Sequence, residues 1–280
     1  MDWGPQVFEE ICRYSSTVLR CCRKSSLQNK TFMLDMVRAN WRAYQYVQKE
    51  LLYDPDIWVA MAKQNGDSLK EGSVALRSNR EVVLAAVMNR GLALRFANKM
   101  LRADRDVGYA AVTQDGMALR FCSEELAGDV TLVSRAVKQN GLALQYADDF
   151  CRLRSKSHAL HAVAQNGLAL EFTHEDLQND HEVLSKAVAQ NPYALQFASN
   201  EIQLGLFAGD RRRLKYTSED VQRRVVEHDG MHLQFAHEEL RCDEDFVCFA
   251  LRQNPLSLKF ASEELRVKLA WCFLSVVLEG

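Results

Sequence analysis

Apolar residues in this chain recur at the spacing of short helices. Two such series follow each other in residues 79–101: Val83, Ala86 and Val87, and then Leu94, Ala97 and Leu101. Positions three, four and seven residues apart share one helix face, so each series predicts a helix with one apolar side. We expect two antiparallel helices here, each of about three turns or fewer. Helices this short are marginal alone, so neighbouring segments must stabilise them.

The leucine at position 94 has a counterpart along most of the chain. The equivalent residues are Tyr44, Leu69, Leu94, Leu119, Leu144, Leu170, Leu195, Leu214, Leu233 and Leu258. The intervals are 25 or 26 residues, except for two of 19 between Leu195 and Leu233. A fixed period is typical of repeat proteins, in which each unit packs on its neighbours. The pattern predicts an all-α fold, an α-solenoid of about nine or ten stacked two-helix repeats with helical caps.

Both helices of a unit have recognisable starts. Before the first helix, a capping residue precedes an acid by two positions, as in Asp54-Pro55-Asp56, Asn79-Arg80-Glu81, Asp104-Arg105-Asp106, Asp180-His181-Glu182 and Asp243-Glu244-Asp245. The capping oxygen accepts hydrogen bonds from free backbone N–H groups, and the acid suits the positive end of the helix dipole.

The second helix follows Asn or Asp before Gly. The pairs are Asn65-Gly66, Asp115-Gly116, Asn140-Gly141, Asn166-Gly167 and Asp229-Gly230, with Pro in place of Gly at Asn191-Pro192 and Asn254-Pro255. Asn-Gly is also typical of a β-hairpin turn. Proline cannot adopt the positive φ of that turn, whereas it suits the first position of a helix. We therefore expect the Asn or Asp to cap the second helix in every unit.

The period divides the chain into five regions. Residues 1–28 are predicted to be an N-terminal cap helix region (Phe8, Ile11, Val18, Leu19), 29–200 regular repeats with the first two degenerate, 201–226 shortened repeats, 227–265 final repeats, and 266–280 a C-terminal cap helix (Leu269, Trp271, Phe273, Leu274, Val277). In the shortened region the first helix loses six residues around Leu204 to Asp210, since the interval falls from 25 to 19. The regular stacking cannot continue there, so we predict a kink, with Gly205 and Gly209 supplying backbone freedom.

Composition narrows the class of protein. Of the 280 residues 48% are hydrophobic and the formal net charge is −2, as expected for a soluble folded chain without the basic signature of nucleic-acid binding. No secretory signal is visible, and the longest apolar stretch, Leu269 to Leu278, is shorter than the ~20 residues of a membrane-spanning helix.

The eight cysteines indicate neither a disulfide framework nor a zinc site, because no Cys-x-x-Cys pair occurs and their spacing ignores the period. Cys122 takes the place of Ala97 and Ala147, which suits a small buried residue. We expect reduced thiols, in the cytoplasm or an organelle interior, and neither a cofactor nor a metal.

The strongest local charge feature lies in the shortened region. Its basic side chains are Arg211, Arg212, Arg213, Lys215, Arg223 and Arg224. This cluster is either a solvated helix edge or a docking site for an acidic partner or phosphate groups. Aromatic residues, which nucleic-acid sites interleave with basic ones, are limited to Tyr216. We predict partner binding here, at the kink.

A polar ridge is the second candidate surface. The residue before each repeated aromatic is polar, and the series is Arg95, Arg120, Gln145, Glu171, Gln196, Lys215, Gln234 and Lys259. This ridge either faces solvent without a role or reads a partner, since solenoids commonly bind along an extended face.

Histidines supply the one enzymatic alternative. They cluster at His158, His161, His174 and His181 and again at His228, His232 and His237. A metal or catalytic site would need the first group to converge, and no His-Glu-x-x-His pattern supports this. His232 replaces a small residue and is interpreted as a packing variant. Since nucleophile-elbow, phosphate-loop and dinucleotide motifs are also absent from the sequence, we expect no enzyme.

Two segments resemble a known family of tandem repeats. They read Asp-Arg-Asp-Val-x-x-Ala-Ala-Val-x-x-x-Gly-x-Ala-Leu-Arg-Phe from residue 104 and Ala-Val-Lys-Gln-Asn-Gly-Leu-Ala-Leu-Gln-Tyr-Ala over 136–147. The family carries a domain-of-unknown-function label and is found in protists, algae and intracellular bacteria, including secreted effectors. The resemblance covers residues 79–200 and 231–265 best. It implies the repeat fold and transfers no catalytic residue.

These features favour a non-enzymatic protein–protein interaction or scaffold module whose partner is another protein or protein complex, such as a larger assembly that contains it. One alternative is a secreted effector or regulator that acts on a partner protein. Another is an enzyme or metal site that uses the His158–His181 cluster. Nucleic acid is not expected as a partner.

Overall fold

The computed structural model describes residues 4–270, and every regular element in this range is a helix. The chain divides into two compact units, Met1–Gln165 and Asn166–Gly280. Within each unit, helices that follow each other in sequence pack together. The fold is therefore the predicted all-α repeat solenoid.

The first helix of each repeat is ten residues long. In the first unit these long helices are α1 Pro5–Tyr14, α2 Lys30–Ala39, α3 Pro55–Gln64, α4 Arg80–Asn89, α5 Arg105–Gln114, α6 Val130–Gln139 and α7 Lys156–Gln165. In the second unit they are α8 His181–Gln190, α9 Asn200–Gly209, α10 Glu219–His228 and α11 Glu244–Gln253. The predicted caps form here: the Asp180 carboxylate accepts hydrogen bonds from the backbone N–H groups of Glu182 and Val183, both at 3.1 Å.

The second helix of each repeat is a six-residue 3-10 helix. These helices span Ser16–Cys21, Trp41–Tyr46, Gly66–Glu71, Gly91–Phe96, Gly116–Phe121 and Gly141–Tyr146 in the first unit, and Gly167–Phe172, Pro192–Phe197, Arg211–Tyr216, Gly230–Phe235 and Pro255–Phe260 in the second. The repeated leucine is the fourth residue of the 3-10 helix, and Leu94, Leu144 and Leu233 are fully buried. The residue that recurs with the period is therefore the one that the 3-10 helix buries in the hydrophobic core.

A third, short helix leads from the 3-10 helix to the next long helix, and the sequence analysis missed it. In the first unit it spans Lys24–Leu27, Val74–Arg77, Lys99–Arg102 and Glu124–Ala127, and in the second Glu175–Gln178 and Glu238–Cys242. A π-helix, Phe150–Arg154, takes its place in one repeat of the first unit. The third residue of the short helix is often a buried leucine, such as Leu76, Leu101 or Leu126.

Helices like those of the repeats also occur near both ends of the described residues. Residues 5–27 already contain a long helix, a 3-10 helix and a short helix, so the region assigned to an N-terminal cap has the build of a repeat. Its buried Leu19 precedes Tyr44 by the usual 25 residues. At the other end a helix covers 263–270 and buries Leu269. The remaining predicted cap residues lie outside the described residues: Trp271, Phe273, Leu274 and Val277.

Asn or Asp caps most of the 3-10 helices, as predicted. The side-chain oxygen accepts a hydrogen bond from the backbone N–H two residues later, at 2.9 to 3.1 Å, in Asn40, Asp115, Asn140, Asn166, Asn191, Asp210, Asp229 and Asn254. Asn65 is an exception, because its side chain makes no capping hydrogen bond. Among the described residues no glycine has a positive φ, in agreement with the rejection of a hairpin turn.

Close packing between repeats explains the glycine that starts many 3-10 helices. A Cβ atom on Gly91 would lie 2.4 Å from the carbonyl oxygen of Ala111, the seventh residue of the next long helix. The Gly91 N–H also donates to Gln114 Oε1 at 2.5 Å. Where another residue replaces this glycine, the seventh residue is larger than alanine; the pairs are Ser16 with Met36, Trp41 with Met61, Pro192 with Leu206, and Arg211 with Val225. The first residue of the 3-10 helix and the seventh residue of the next long helix thus vary together from repeat to repeat.

The described cysteines are free thiols, and none forms a disulfide. Burial raises the pKa of Cys122 to about 12, which fits its predicted role as a small packed residue. No helix in residues 4–270 is long and apolar enough to cross a membrane.

Candidate partner-binding cleft

The first shortened repeat has six residues fewer than a regular one but keeps a long helix. Leu195 and Leu214 are 19 residues apart, where regular repeats have 25. Helix α9 follows the 3-10 helix Pro192–Phe197 after two residues, without a separate short helix. The ten residues of α9 therefore take the place of both the short helix and part of the long helix of a regular repeat.

The first turn of α9 makes the hydrogen bonds of a short helix. Gln203 Nε2 donates to the carbonyl oxygens of Gln196 at 3.1 Å and Ala198 at 2.6 Å. Gln178, the last residue of the short helix Glu175–Gln178, makes the equivalent bonds to the carbonyl oxygens of Glu171 and Thr173 at 3.4 and 3.0 Å. Residues 200–203 thus replace the short helix, and 204–209 correspond to the second half of a long helix. The six missing residues are the connection and the first turn of a long helix.

Gly205 and Gly209 do not form the predicted flexible junction, because both lie inside α9 in helical conformation. An added Cβ would meet nothing within 4 Å at either position. The kink of the solenoid stays a prediction.

An open cleft of about 870 Å³ lies between α8 and α9, beside the missing turn. Its walls are apolar and comprise Leu184 and Val188 from α8, Pro192 and Leu195 from the 3-10 helix, and Ile202 and Leu206 from α9. Polar residues at its edge include His181, Asp210, Arg212, Arg213, Lys215 and Tyr216. This size lies within the roughly 300–1,000 Å³ of ligand-binding pockets, which also combine apolar walls with a few polar groups.

Val188 identifies the cleft as an unfilled packing space. It is the eighth residue of α8 and is only partly buried. The eighth residue of the other long helices apart from α9 is buried: Cys12, Val37, Ala62, Val87, Val112, Val137, Val163, Val226 and Leu251. Within each unit, successive long helices pack together and cover this position, whereas α9 lacks the turn that would cover Val188.

The second shortened repeat closes its gap with a large side chain. Phe207, the eighth residue of α9, packs against the buried cluster of Leu214, Val221 and Val225. Its ring also meets the His232 ring edge to face, with centroids 5.3 Å apart. The interpretation of His232 as a packing residue fits this contact. The open space is therefore specific to the first shortened repeat.

Three of the six predicted partner-binding residues line the cleft: Arg212, Arg213 and Lys215. Arg212 Nε lies 3.2 Å from Asp210 Oδ1, and this hydrogen bond lowers the pKa of Asp210 below its usual value. Arg213 and Lys215 are exposed, and Lys215 Nζ lies 4.8 Å from the centroid of the Tyr216 ring. The edge therefore presents positive charge next to an apolar wall.

The other three predicted residues do not line the cleft. Arg211 and Arg224 are exposed. Arg223 forms an ion pair with Glu219 at 2.9 Å and lies over the Phe246 ring at 5.4 Å. The basic run thus separates into a cleft-lining part and a part that faces elsewhere.

A sequence model of the family described as Domain of unknown function (DUF4116) matches residues 104–151, 159–203 and 218–266. The chain belongs to the DUF4116 family. Neither a curated protein nor a solved structure gives a significant match to it. The three DUF4116 matches leave out residues 204–217, which hold the second half of α9 and the 3-10 helix of the basic run.

The predicted ridge of this DUF4116 chain is largely exposed. Arg95, Arg120, Glu171, Gln196, Lys215, Gln234 and Lys259 are exposed, and Gln145 is half-buried. Several of its cations lie over the following aromatic ring, with Arg95 4.4 Å from the Phe96 centroid and Lys259 4.8 Å from that of Phe260. The ridge offers polar contacts, and its role in recognition stays a prediction.

The histidines of this DUF4116 chain have separate local contacts. His158 is buried with Nε2 3.2 Å from the Val130 carbonyl oxygen, and His161 Nδ1 lies 2.8 Å from that of Ser157. His174 caps the short helix Glu175–Gln178, and His237 caps Glu238–Cys242. His181 is exposed at the start of α8, where it lines the cleft. Across residues 4–270 no three His, Cys, Asp or Glu side chains gather as metal ligands would.

The sequence analysis missed the apolar half of the site. Leu184, Val188 and Leu206 have the residue types of any core position, and nothing in their identity marks them as the wall of an open cleft. The signal that could have found them is the interval of 19 itself, since six missing residues must uncover the preceding helix unless a larger side chain fills the space, as Phe207 does in the next repeat.

Proposed function

We propose that this chain is a non-enzymatic protein–protein interaction or scaffold module, and that a partner protein docks in the cleft between α8 and α9. The main support is the position of Val188, an apolar residue whose counterparts in the other long helices apart from α9 are buried and that here faces an open space. Exposed apolar surface with a polar rim is typical of interaction sites.

The cleft and the polar ridge would act together. Lys215 belongs to both, because it lines the cleft and follows Leu214 in the ridge series. Specific protein interfaces bury roughly 1,200–2,000 Å² in total, more than a cleft of this volume offers by itself. The cleft would hold the central apolar anchor, and ridge residues of the second unit, such as Gln196 and Gln234, would supply peripheral contacts. Such contacts suit either a subunit of a larger assembly or an effector that acts on a partner protein.

Site-specific photo-crosslinking tests this proposal. Benzoylphenylalanine replaces Val188 in the cleft or, as the control, the exposed Lys138 on α6. In lysate of the cells that make the protein, we expect a defined adduct from position 188 and none from position 138. The substitution Arg213→Glu should remove that adduct. Equal adducts from both positions, or none from position 188, would contradict a partner site in the cleft.

A further inference from the structure

The six residues that the first shortened repeat lacks follow a common pattern where two other repeats join. They correspond to residues 28–33, 53–58, 78–83, 103–108, 128–133, 154–159, 179–184 and 242–247. The second of the six is Asp or Asn except for Ser155, and the fourth is Asp or Glu in five of these eight segments, with Thr31, Thr131 and Ser157 in the others. The last two are apolar except for Gly108 and His158. The missing piece of chain is thus most often an acidic helix start followed by two apolar residues.

The apolar pair of these segments fills the space that the cleft leaves open. Val82 and Val83 of α4, and likewise Leu132 and Val133 of α6, are fully buried. In the cleft, Leu184 and Val188 of α8 form the wall on which such a pair would pack. A helical turn with two adjacent apolar residues would therefore fit the vacant position.

Where the preceding long helix starts with Lys30, Arg80 or Arg105, the acids of these segments pair with that cation. In the first unit Lys30 Nζ lies 2.7 Å from Asp54 and 2.6 Å from Asp56, and Arg80 Nε lies 3.0 Å from Asp104. In α8 that first position is His181, at the edge of the cleft. Arg213 and Lys215 add positive charge at the same cleft, while Asp210 is paired with Arg212.

We propose that the cleft binds an acidic helical turn of a partner protein, of the pattern Asp-x-Glu followed by two apolar residues. Bound in this way, the turn supplies from another chain the piece that this repeat lacks. The carboxylates lie toward His181, Arg213 and Lys215, and the apolar pair covers Val188. This inference rests on the proposed function and adds the chemistry of the partner segment.

Selection from a random peptide library displayed on phage tests the pattern. Peptides are selected on the full chain and then counter-selected on the double variant Arg213→Glu, Lys215→Glu. We expect the survivors to carry two acids before an adjacent apolar pair. Isothermal titration calorimetry with a selected peptide should show binding roughly tenfold weaker for the double variant. The matched control Arg211→Glu, in the same basic run but outside the cleft, should change the affinity less than about twofold.

A gain-of-function variant keeps the test informative if the double variant does not fold. His181→Arg restores the cation that Arg80 and Arg105 supply in other repeats. It should tighten peptide binding about threefold, and the gain should shrink as salt rises. Thermal unfolding followed by circular dichroism checks that each variant remains folded. No gain with a folded His181→Arg variant would overturn the predicted placement of the acids.

The outcomes separate this inference from the proposed function. Cleft-dependent peptides without acids would overturn the acidic pattern and leave the protein-binding cleft in place. If no peptide depends on the cleft, and phosphatidylglycerol-containing vesicles bind the wild type but not the double variant, the ligand is an anionic lipid and both proposals are wrong. If neither peptides nor vesicles bind, the inference is overturned, and crosslinking at position 188 decides the proposed function by itself.

Discussion

The Oε1 atom of Gln203 accepts a hydrogen bond from the backbone N–H of Ser218 at 2.8 Å. Gln222 makes the same contact with His237 one repeat later, also at 2.8 Å. In most regular repeats this backbone N–H instead donates to a carbonyl of the preceding short helix, as Ser123 does to Arg102 at 3.0 Å, whereas Ser199 donates to the Asn179 side chain at 2.8 Å. A buried glutamine side chain thus replaces a backbone contact wherever a repeat is shortened.

Replacing Gln203 by leucine should destabilise the second unit by about 2–4 kcal/mol. The substitution removes one acceptor and one donor, and it leaves the Ser218 N–H and the Ala198 carbonyl without their partner in a buried place, at roughly 1–3 kcal/mol each. Urea denaturation measures the change in the free energy of unfolding. The exposed Gln196 is the control, since Gln196→Leu should stay within about 0.5 kcal/mol of the wild type. Equal effects of the two substitutions would show that the buried bonds of Gln203 contribute little.

The sequence predicted those parts of the fold that recur. The repeated leucines, the Asn or Asp caps and the long helices all follow from periodic residue types, and the structure confirms them. The short helix was missed because four residues are too few to show a helical spacing of apolar positions. Its buried leucine, such as Leu126, falls within the segment that the period assigned to the second helix.

The cleft was predicted only in part, for a physical reason. Charge is visible in a sequence, so Arg212, Arg213 and Lys215 stood out. An apolar residue looks the same whether or not a neighbour covers it, so Val188 did not. Its exposure depends on what the next repeat lacks. The interval of 19 residues signals that loss, but the register of α8 and α9 is needed to show which residue it uncovers.

Two glycine substitutions should have opposite effects. In Gly91→Ala the new Cβ would lie 2.4 Å from the backbone oxygen of Ala111, so the two repeats must move apart. Overpacking of this kind costs about 1–3 kcal/mol. In Gly205→Ala, inside α9, the Cβ meets nothing within 4 Å, and the higher helix propensity of alanine should stabilise the chain by up to about 1 kcal/mol. Thermal and urea unfolding of both variants check this, and a neutral Gly91→Ala would contradict the close packing inferred for that position.

The ion pair between Arg80 and Asp104 should make stability depend on pH in the acid range. The hydrogen bond from Arg80 lowers the pKa of Asp104 in the folded chain. Because the folded pKa lies below the unfolded value of about 3.9, the stabilisation is present above that value and is lost as the pH falls through the folded pKa. Both side chains are partly exposed, so solvent screens the pair and keeps the effect small.

The variant Asp104→Asn tests this pH dependence, since asparagine retains the capping oxygen that accepts from Val107 but carries no charge. As the pH is lowered from about 6 to about 3, the free energy of unfolding should fall more steeply for the wild type than for Asp104→Asn. If the free energies of unfolding of the two proteins change in parallel with pH, Arg80 does not favour the charged form of Asp104 over the neutral form, and the prediction is wrong.

Val137 and Val188 occupy the same position of two long helices and should respond differently to truncation. Val137 is fully buried by the next repeat, so Val137→Ala should cost about 2 kcal/mol through lost apolar contacts and the cavity left behind. Val188 faces the open cleft, so Val188→Ala should cost at most about 0.5 kcal/mol in the free protein. Urea denaturation of both variants provides the comparison. With a bound partner, Val188→Ala should become the more costly of the two substitutions. The partner adds to the free energy of unfolding by binding the folded chain, and the loss of its contact with Val188 removes that gain. If Val188→Ala is as destabilising as Val137→Ala in the free protein, the cleft is closed in solution, and both proposals about its occupant lose their basis.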